Sequence, residues 1–127
     1  MADERARRAA ARRARLGREG ECAVAAALAA DGYEVLGRNV RVGRDEIDVL
    51  ARRGGVLHVV EVKTRTSSRW GGAESVTPDK LARLRRAASR WLAESGPGGG
   101  VREVRVDVWV LTPAGDAFAY ERYRAVA

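Results

Sequence analysis

Two acids and a lysine stand at a spacing that can build a metal site for phosphodiester hydrolysis. Asp48 is followed, after twelve intervening residues, by Glu61-Val62-Lys63. Between them, Gly54-Gly55 predicts a two-residue hairpin turn, because primed turns need positive φ at their central positions. In that register Asp48 lies directly opposite Glu61, and both side chains project from the same face of the hairpin. A three-residue loop would reverse the parity and separate the two acids.

The same register places Glu46 opposite Lys63, so that three carboxylates and one ammonium share a small area. Clustered carboxylates repel one another, and a divalent cation relieves this repulsion. We expect Asp48 and Glu61 to be metal ligands, with the backbone carbonyl of Val62 as a candidate third ligand. One Cys and one His cannot make a zinc site, so oxygen ligands favour Mg²⁺ or Mn²⁺. Lys63 could then orient the attacking water or stabilise charge in the transition state.

The alternative is an ordinary set of cross-strand salt bridges, in which Lys63 pairs with Glu46 and Arg65 answers the other acids. Such pairs contribute only about 0.2–1 kcal/mol each. Lysine usage favours the functional interpretation, because Lys63 and Lys80 are the only lysines among 24 basic residues. An ammonium has a pKa that its surroundings can shift, whereas a guanidinium stays protonated. Lys80 begins the second helix and either approaches the site as a supporting residue or remains solvated.

The remaining pattern predicts one α/β domain with a mixed central sheet flanked by helices. Helical composition and spacing cover about residues 4–31 and 77–94. The predicted strands cover about residues 33–42, 46–51, 56–63, 104–111 and 117–123. Glu21 lies on the inward stripe of the first helix, where it either faces the acidic cluster or borders the stripe and reaches outward. We divide the chain into a basic arm, residues 1–15, helical or frayed, and a domain, residues 16–127.

Charge is concentrated in the arm. Of the net charge of +7, residues 1–18 hold seven Arg and two acids. Such an arm fits attraction to nucleic-acid phosphates, although a solvated terminus explains the composition equally well. The candidate nucleic-acid contacts in the arm and beside the Ser- and Gly-rich loop are Arg12, Arg13, Arg15, Arg65, Arg69 and Trp70. Trp70 could also simply pack.

The single histidine, His58, alternates away from the acidic face, which indicates packing. No apolar run is long enough for a membrane span, so we expect a cytoplasmic protein without a membrane partner.

Several segments together resemble the PD-(D/E)XK nucleases, whose fold is restriction-endonuclease-like, and within them the YraN-like family of small predicted endonucleases. The matching segments are Gly17-Arg18-Glu19-Gly20-Glu21, Asn39-Val40-Arg41, Glu46-Ile47-Asp48-Val49-Leu50 and Val60-Glu61-Val62-Lys63-Thr64-Arg65. The resemblance covers about residues 16–111. It implies that Glu21 is an additional acid at the site, that Asp48 and Glu61 bind metal, and that Lys63 is the catalytic lysine. Asp45 departs from the pattern, because the family usually has Gly there.

The function expected from these features is metal-dependent hydrolysis of phosphodiester bonds in DNA, in preference to RNA. The resemblance to Holliday-junction resolvases extends the expectation to branched or junction DNA. A first alternative is a protein that binds nucleic acid on a nuclease fold without cleaving it, and a second is a protein-interaction module. A two-fold symmetric substrate would call for a homodimer; a monomer is the competing expectation.

Overall fold

The computed structural model describes residues 2–65, 76–96 and 99–125. Helix α1 spans Ala2–Ala30 and is followed by strands β1 (Glu34–Val42), β2 (Asp45–Arg53) and β3 (Val56–Thr64). Helix α2 (Pro78–Ser95) then precedes β4 (Glu103–Ala114) and β5 (Ala117–Ala125). The predicted order of one helix, three strands, one helix and two strands is therefore confirmed, as is the α/β class.

One five-stranded sheet runs in the order β1-β2-β3-β4-β5. Strands β3 and β4 are parallel, and the other neighbours are antiparallel. A parallel pair needs a long connection, and α2 lies within it. Helix α1 packs on one face of the sheet and α2 on the other, so the central strands are buried on both faces. This mixed sheet between two helices is consistent with a restriction-endonuclease-like fold.

The hairpin turn has the predicted length. Gly54 takes a positive φ of 60°, and Arg53 pairs with Val56, so the turn contains two residues. Pairing then proceeds in the predicted register but ends at Val49 and Val60. Hydrogen-bonded pairs alternate along an antiparallel ladder, and the next such pair would engage the Val62 N–H. That N–H instead donates to Oδ2 of Asp48 at 2.9 Å, so the side chain replaces the main-chain partner.

The early end of this ladder corrects one expectation. Glu46 does not pair with Lys63; it lies opposite Arg41 of β1, and its carboxylate is 3.8 Å from that guanidinium. Glu61 and Lys63 still project from one face of β3, and Leu57 and Val59 precede them on that face and pack in the core beside α2. Glu46 therefore pairs between β1 and β2, whereas Asp48 contacts Val62 of β3.

Helix α1 approaches the end of β3 closely because Gly20 has no side chain. A Cβ at this buried position would stand 2.3 Å from Oγ1 of Thr64. The next residue is Glu21, so the contact at Gly20 sets the distance between that carboxylate and the sheet. In the part of the chain that the structure describes, neither helix combines the length and apolar character that a bilayer span requires.

We expect Gly20→Ala to destabilise the protein by about 1–3 kcal/mol, because the added methyl group overpacks the contact with Thr64. Gly17→Ala is the matched control in the same helix: nothing lies within 4 Å of its Cβ position, so the change should stabilise by about 0.5–1 kcal/mol. Urea unfolding of the two variants measures both values. Equal effects of the two substitutions would show that Gly20 has no special packing role.

Candidate functional site

Asp48 and Glu61 line one cavity of about 260 Å³, beside the first turns of α2. Asp48 reaches it because β2 leaves the ladder with β3 at this point. Glu61 reaches it from β3, and Lys80 from α2. The structure therefore brings together the two acids that the hairpin register predicted to be neighbours. Asp45, the departure from the family pattern, begins β2 and also lines the cavity.

Two ammonium groups converge on Glu61, whose side chain is only 6% exposed. Nζ of Lys80 lies 2.8 Å from Oε1 of Glu61, and Nζ of Lys63 lies 3.7 Å from the same atom. A buried carboxylate needs such partners, because removing an unpaired charge from water is costly. Both lysines of the chain therefore meet at one carboxylate oxygen, and Lys80 is the nearer of the two.

Asp48 is the electrostatically unusual acid of the site. Burial, and next the negative charge of Glu61, raise the pKa of Asp48 from its ordinary value of 3.8 to about 7. The Val62 N–H acts in the opposite direction, while the charge of Glu21 and a hydrogen bond with it raise the pKa further. At neutral pH the Asp48 carboxyl group is therefore protonated in a large fraction of molecules. Perturbed carboxyl groups of this kind concentrate at functional sites.

Glu21 faces the acidic cluster from α1, and a residue outside the predicted site orients it. Asn39 adopts a positive φ of 51°, a conformation that asparagine tolerates better than most residues. With its amide nitrogen turned toward the acids, Asn39 donates to Glu46 at 2.9 Å and to Glu21 at 3.0 Å. Sequence reasoning did not assign Asn39 this role, because its partners come from different elements.

Among the described residues, none of the arginines predicted to contact nucleic acid lines the cavity. Arg65 is engaged elsewhere: it donates to Glu121 at 3.1 Å and to Thr112 at 3.2 Å. Three arginines are exposed on the N-terminal half of α1, namely Arg12, Arg13 and Arg15. Arg69 and Trp70 lie outside the described residues.

The donor set fits a hard divalent cation. Asp48 and Glu61 offer carboxylate oxygens, and the Val62 carbonyl points to the same side of its strand as the N–H that Asp48 accepts from. Oxygen atoms of these kinds are the ligands that Mg²⁺ and Mn²⁺ prefer. Within residues 2–65, 76–96 and 99–125, no three His, Cys, Asp or Glu side chains form a ready group of metal ligands. A site made here would therefore combine two carboxylates with backbone and water oxygens.

The fold and the acidic cavity define an α/β protein of the restriction-endonuclease-like architecture. Residues 20–111 match the family described as "Uncharacterised protein family UPF0102". The chain is 49% identical over 123 residues to a UPF0102 protein of Streptomyces coelicolor, covering 91% of this chain and 90% of that one. It is 45% identical over 98 residues to a UPF0102 protein of Leifsonia xyli, covering 76% and 81%. The chain belongs to the UPF0102 family, the YraN-like family that its motifs resemble.

Proposed function

We propose that this protein is an endonuclease that depends on Mg²⁺ or Mn²⁺ and hydrolyses phosphodiester bonds in DNA, including branched or junction DNA. The observation that carries the proposal is that Asp48 and Glu61 line one cavity and that the ammonium groups of Lys80 and Lys63 both approach Glu61. Paired acids beside a lysine are suited to phosphoryl chemistry, in which catalysis is mostly positioning and charge stabilisation.

Each residue has a distinct role in this proposal. Asp48, Glu61 and the Val62 carbonyl would hold the cation, which would supply Lewis-acid polarisation of the scissile phosphate and a more acidic water. Lys63 places a positive charge where the phosphate accumulates negative charge. Lys80 neutralises Glu61 in the absence of a cation, so it competes with a cation for the same oxygen. Glu21 supports Asp48 from α1.

Helix α1 supports a nucleic acid as the substrate. Its residues 3–15 are exposed, and they continue the same helix that places Glu21 at the site. At a rise of about 1.5 Å per residue, these thirteen residues extend about 20 Å beyond the body. The arginines of this segment can therefore contact phosphates at a distance from the bond that the site would cut.

The direct test is cleavage of labelled linear, flap and four-way DNAs with and without Mg²⁺ or Mn²⁺. We expect metal-dependent cutting by the natural protein and a loss of about 10²–10⁴-fold in Lys63→Ala and in Asp48→Ala. Both variants must first be shown to fold by circular dichroism. Cutting that survives both changes at the natural rate contradicts the proposed site, and binding without cutting by the natural protein favours the non-catalytic alternative.

A second experiment tests the arm. Replacing Arg12, Arg13 and Arg15 together by Gln should weaken DNA binding and reduce the slope of log affinity against log salt by up to about 3. Fluorescence anisotropy across a salt series measures the slope. Replacing the exposed α2 residue Arg86 by Gln is the single-charge comparison, with an expected change of up to about 1. An unchanged slope in the triple variant would show that the arm does not contact DNA.

The homodimer remains part of the proposal for two-fold symmetric substrates. Strand β5 is an edge of the sheet, and it carries the exposed Tyr120, which stacks on Trp109 with ring centres 5.0 Å apart. Light scattering with and without a four-way junction distinguishes a dimer from a monomer.

A further inference from the structure

A second cavity, of about 480 Å³, lies at the opposite end of β3 from the acidic site. His58 and Asp107 line it, and neither it nor the acidic cavity shares a lining residue with the other. His58 precedes Val60 on one face of β3, and Asp107 precedes Trp109 on the same face of β4. Val60 and Trp109 pack against α1. The second cavity thus opens on the α1 face of the sheet, whereas the acidic cavity opens beside α2.

His58 is buried, as a packing histidine should be, but it also carries a polar interaction. Its Nδ1 lies 3.0 Å from Oδ2 of Asp107, and the two side chains are 9% and 7% exposed. The edge of Tyr33 meets the ring at a centroid distance of 5.0 Å. Nε2 makes no hydrogen bond within the described residues. The carboxylate at Nδ1 therefore fixes the orientation of the ring.

Four arginines line this cavity together with the histidine, and two of them form no ion pair within 4 Å in the described residues. Arg53 pairs with Asp31 at 3.6 Å, and Arg105 pairs with Glu103 at 3.1 Å. The remaining two also line the cavity and form no ion pair within the described residues; they are Arg122 and Arg124. Arg122 is held in place because its guanidinium lies 4.5 Å from the ring centre of Trp109. The cavity therefore combines one guanidinium held against Trp109 with a second, exposed guanidinium at Arg124.

We propose that this cavity binds the oxyanion of a phosphate ester, with the guanidinium groups of Arg122 and Arg124 as donors beside His58. Guanidinium groups bind phosphate through paired, charge-assisted hydrogen bonds. The volume is in the range of small-ligand sites, about 300–1,000 Å³, so the phosphate can belong to a free nucleotide or to a nucleic-acid backbone. The site is independent of the proposed cleavage and exists whether or not the acidic cavity is catalytic.

The test uses His58, the only histidine of the chain, as a spectroscopic reporter. Its ring ¹H and ¹⁵N signals are followed while inorganic phosphate, a nucleoside monophosphate or a duplex oligonucleotide is added to the metal-free protein. We expect saturable shifts of these signals. Arg124→Gln should weaken binding about tenfold, as expected for the loss of a charge-assisted hydrogen bond. Arg86→Gln, with the same loss of charge on α2, should leave the affinity for inorganic phosphate and for the monophosphate unchanged.

Each outcome decides the proposal. Saturation by phosphate or the monophosphate supports it with a free ligand as the source, and saturation by the oligonucleotide alone supports it with the backbone as the source. Unchanged His58 signals in all three titrations overturn it. Equal affinities of Arg124→Gln and the natural protein, or equal weakening in Arg124→Gln and Arg86→Gln, also overturn it.

Discussion

Replacement of Glu61 by Gln is expected to reduce the single-turnover rate of DNA cleavage by about 10³-fold or more. The substitution keeps the shape of the side chain but removes the charge that both ammonium groups approach, at 2.8 Å for Lys80 and 3.7 Å for Lys63. It therefore removes a metal ligand and releases the lysine that the proposal places at the scissile phosphate. Rapid-quench measurement at saturating Mg²⁺ gives the rate directly.

The control for this variant is Glu94→Gln. Glu94 also forms an ion pair, with Arg90 at 2.9 Å, but both side chains lie on α2 and are 58% exposed. Such a surface pair contributes little, so cleavage should change by no more than about twofold. Comparable rates in Glu61→Gln and Glu94→Gln would contradict the assignment of Glu61 as a metal ligand.

Replacement of Asp48 by Asn should abolish cleavage and, at neutral to alkaline pH, stabilise the protein. Asn can still accept from the Val62 N–H, as Asp48 does at 2.9 Å. It also donates to Glu21 without placing a third negative charge beside Glu61. The expected gain is on the order of 2–4 kcal/mol where the carboxyl group is ionised. Stability gained with loss of activity is the usual consequence of neutralising a strained functional site.

The pH dependence of this gain follows from the raised pKa of Asp48, which burial and then the charge of Glu61 move from 3.8 to about 7. Between these two values the folded protein binds the proton and the unfolded chain releases it. The contribution of Asp48 to stability therefore falls as pH rises through this window. The stabilisation by Asp48→Asn should be small near about pH 4 and largest above about pH 7.

Urea unfolding of the natural protein and of Asp48→Asn across this pH range measures the difference. Asp116→Asn, at an exposed position between β4 and β5, controls for the loss of one carboxylate. A stability difference that does not vary with pH, or one that shrinks as pH rises, would show that Asp48 is not held at a raised pKa.

Much of the fold could be predicted because local chemistry determines it. Gly54 can adopt the φ of 60° that the turn requires, and the turn length fixes the register from Arg53–Val56 to Val49–Val60. Thr77 accepts from the N–H of Lys80 at the start of α2, as a helix cap of its type predicts. In each case the determining residues are neighbours in the sequence.

The details that sequence reasoning missed involve residues that are far apart in the chain. The ladder ends where the Asp48 side chain accepts a hydrogen bond from the Val62 N–H. The hydrophobic pattern of a strand does not predict where a side chain replaces a main-chain acceptor. Asn39 orients Glu21 only because β1 lies beside α1. The pairing of His58 with Asp107 depends on the parallel register of β3 and β4. The sequence of a long crossover connection does not determine that register.

Anomalous diffraction from crystals grown with Mn²⁺ shows directly whether Asp48 and Glu61 bind a divalent cation. We expect a single strong peak at the acidic cavity, at about 2.0–2.2 Å from carboxylate oxygens of Asp48 and Glu61 and from the Val62 carbonyl oxygen. Lys80 should have moved away from Glu61, because ammonium and cation compete for the same oxygen. A peak located elsewhere, or an acidic cavity without a peak at a Mn²⁺ concentration that supports cleavage, would contradict the proposed metal site.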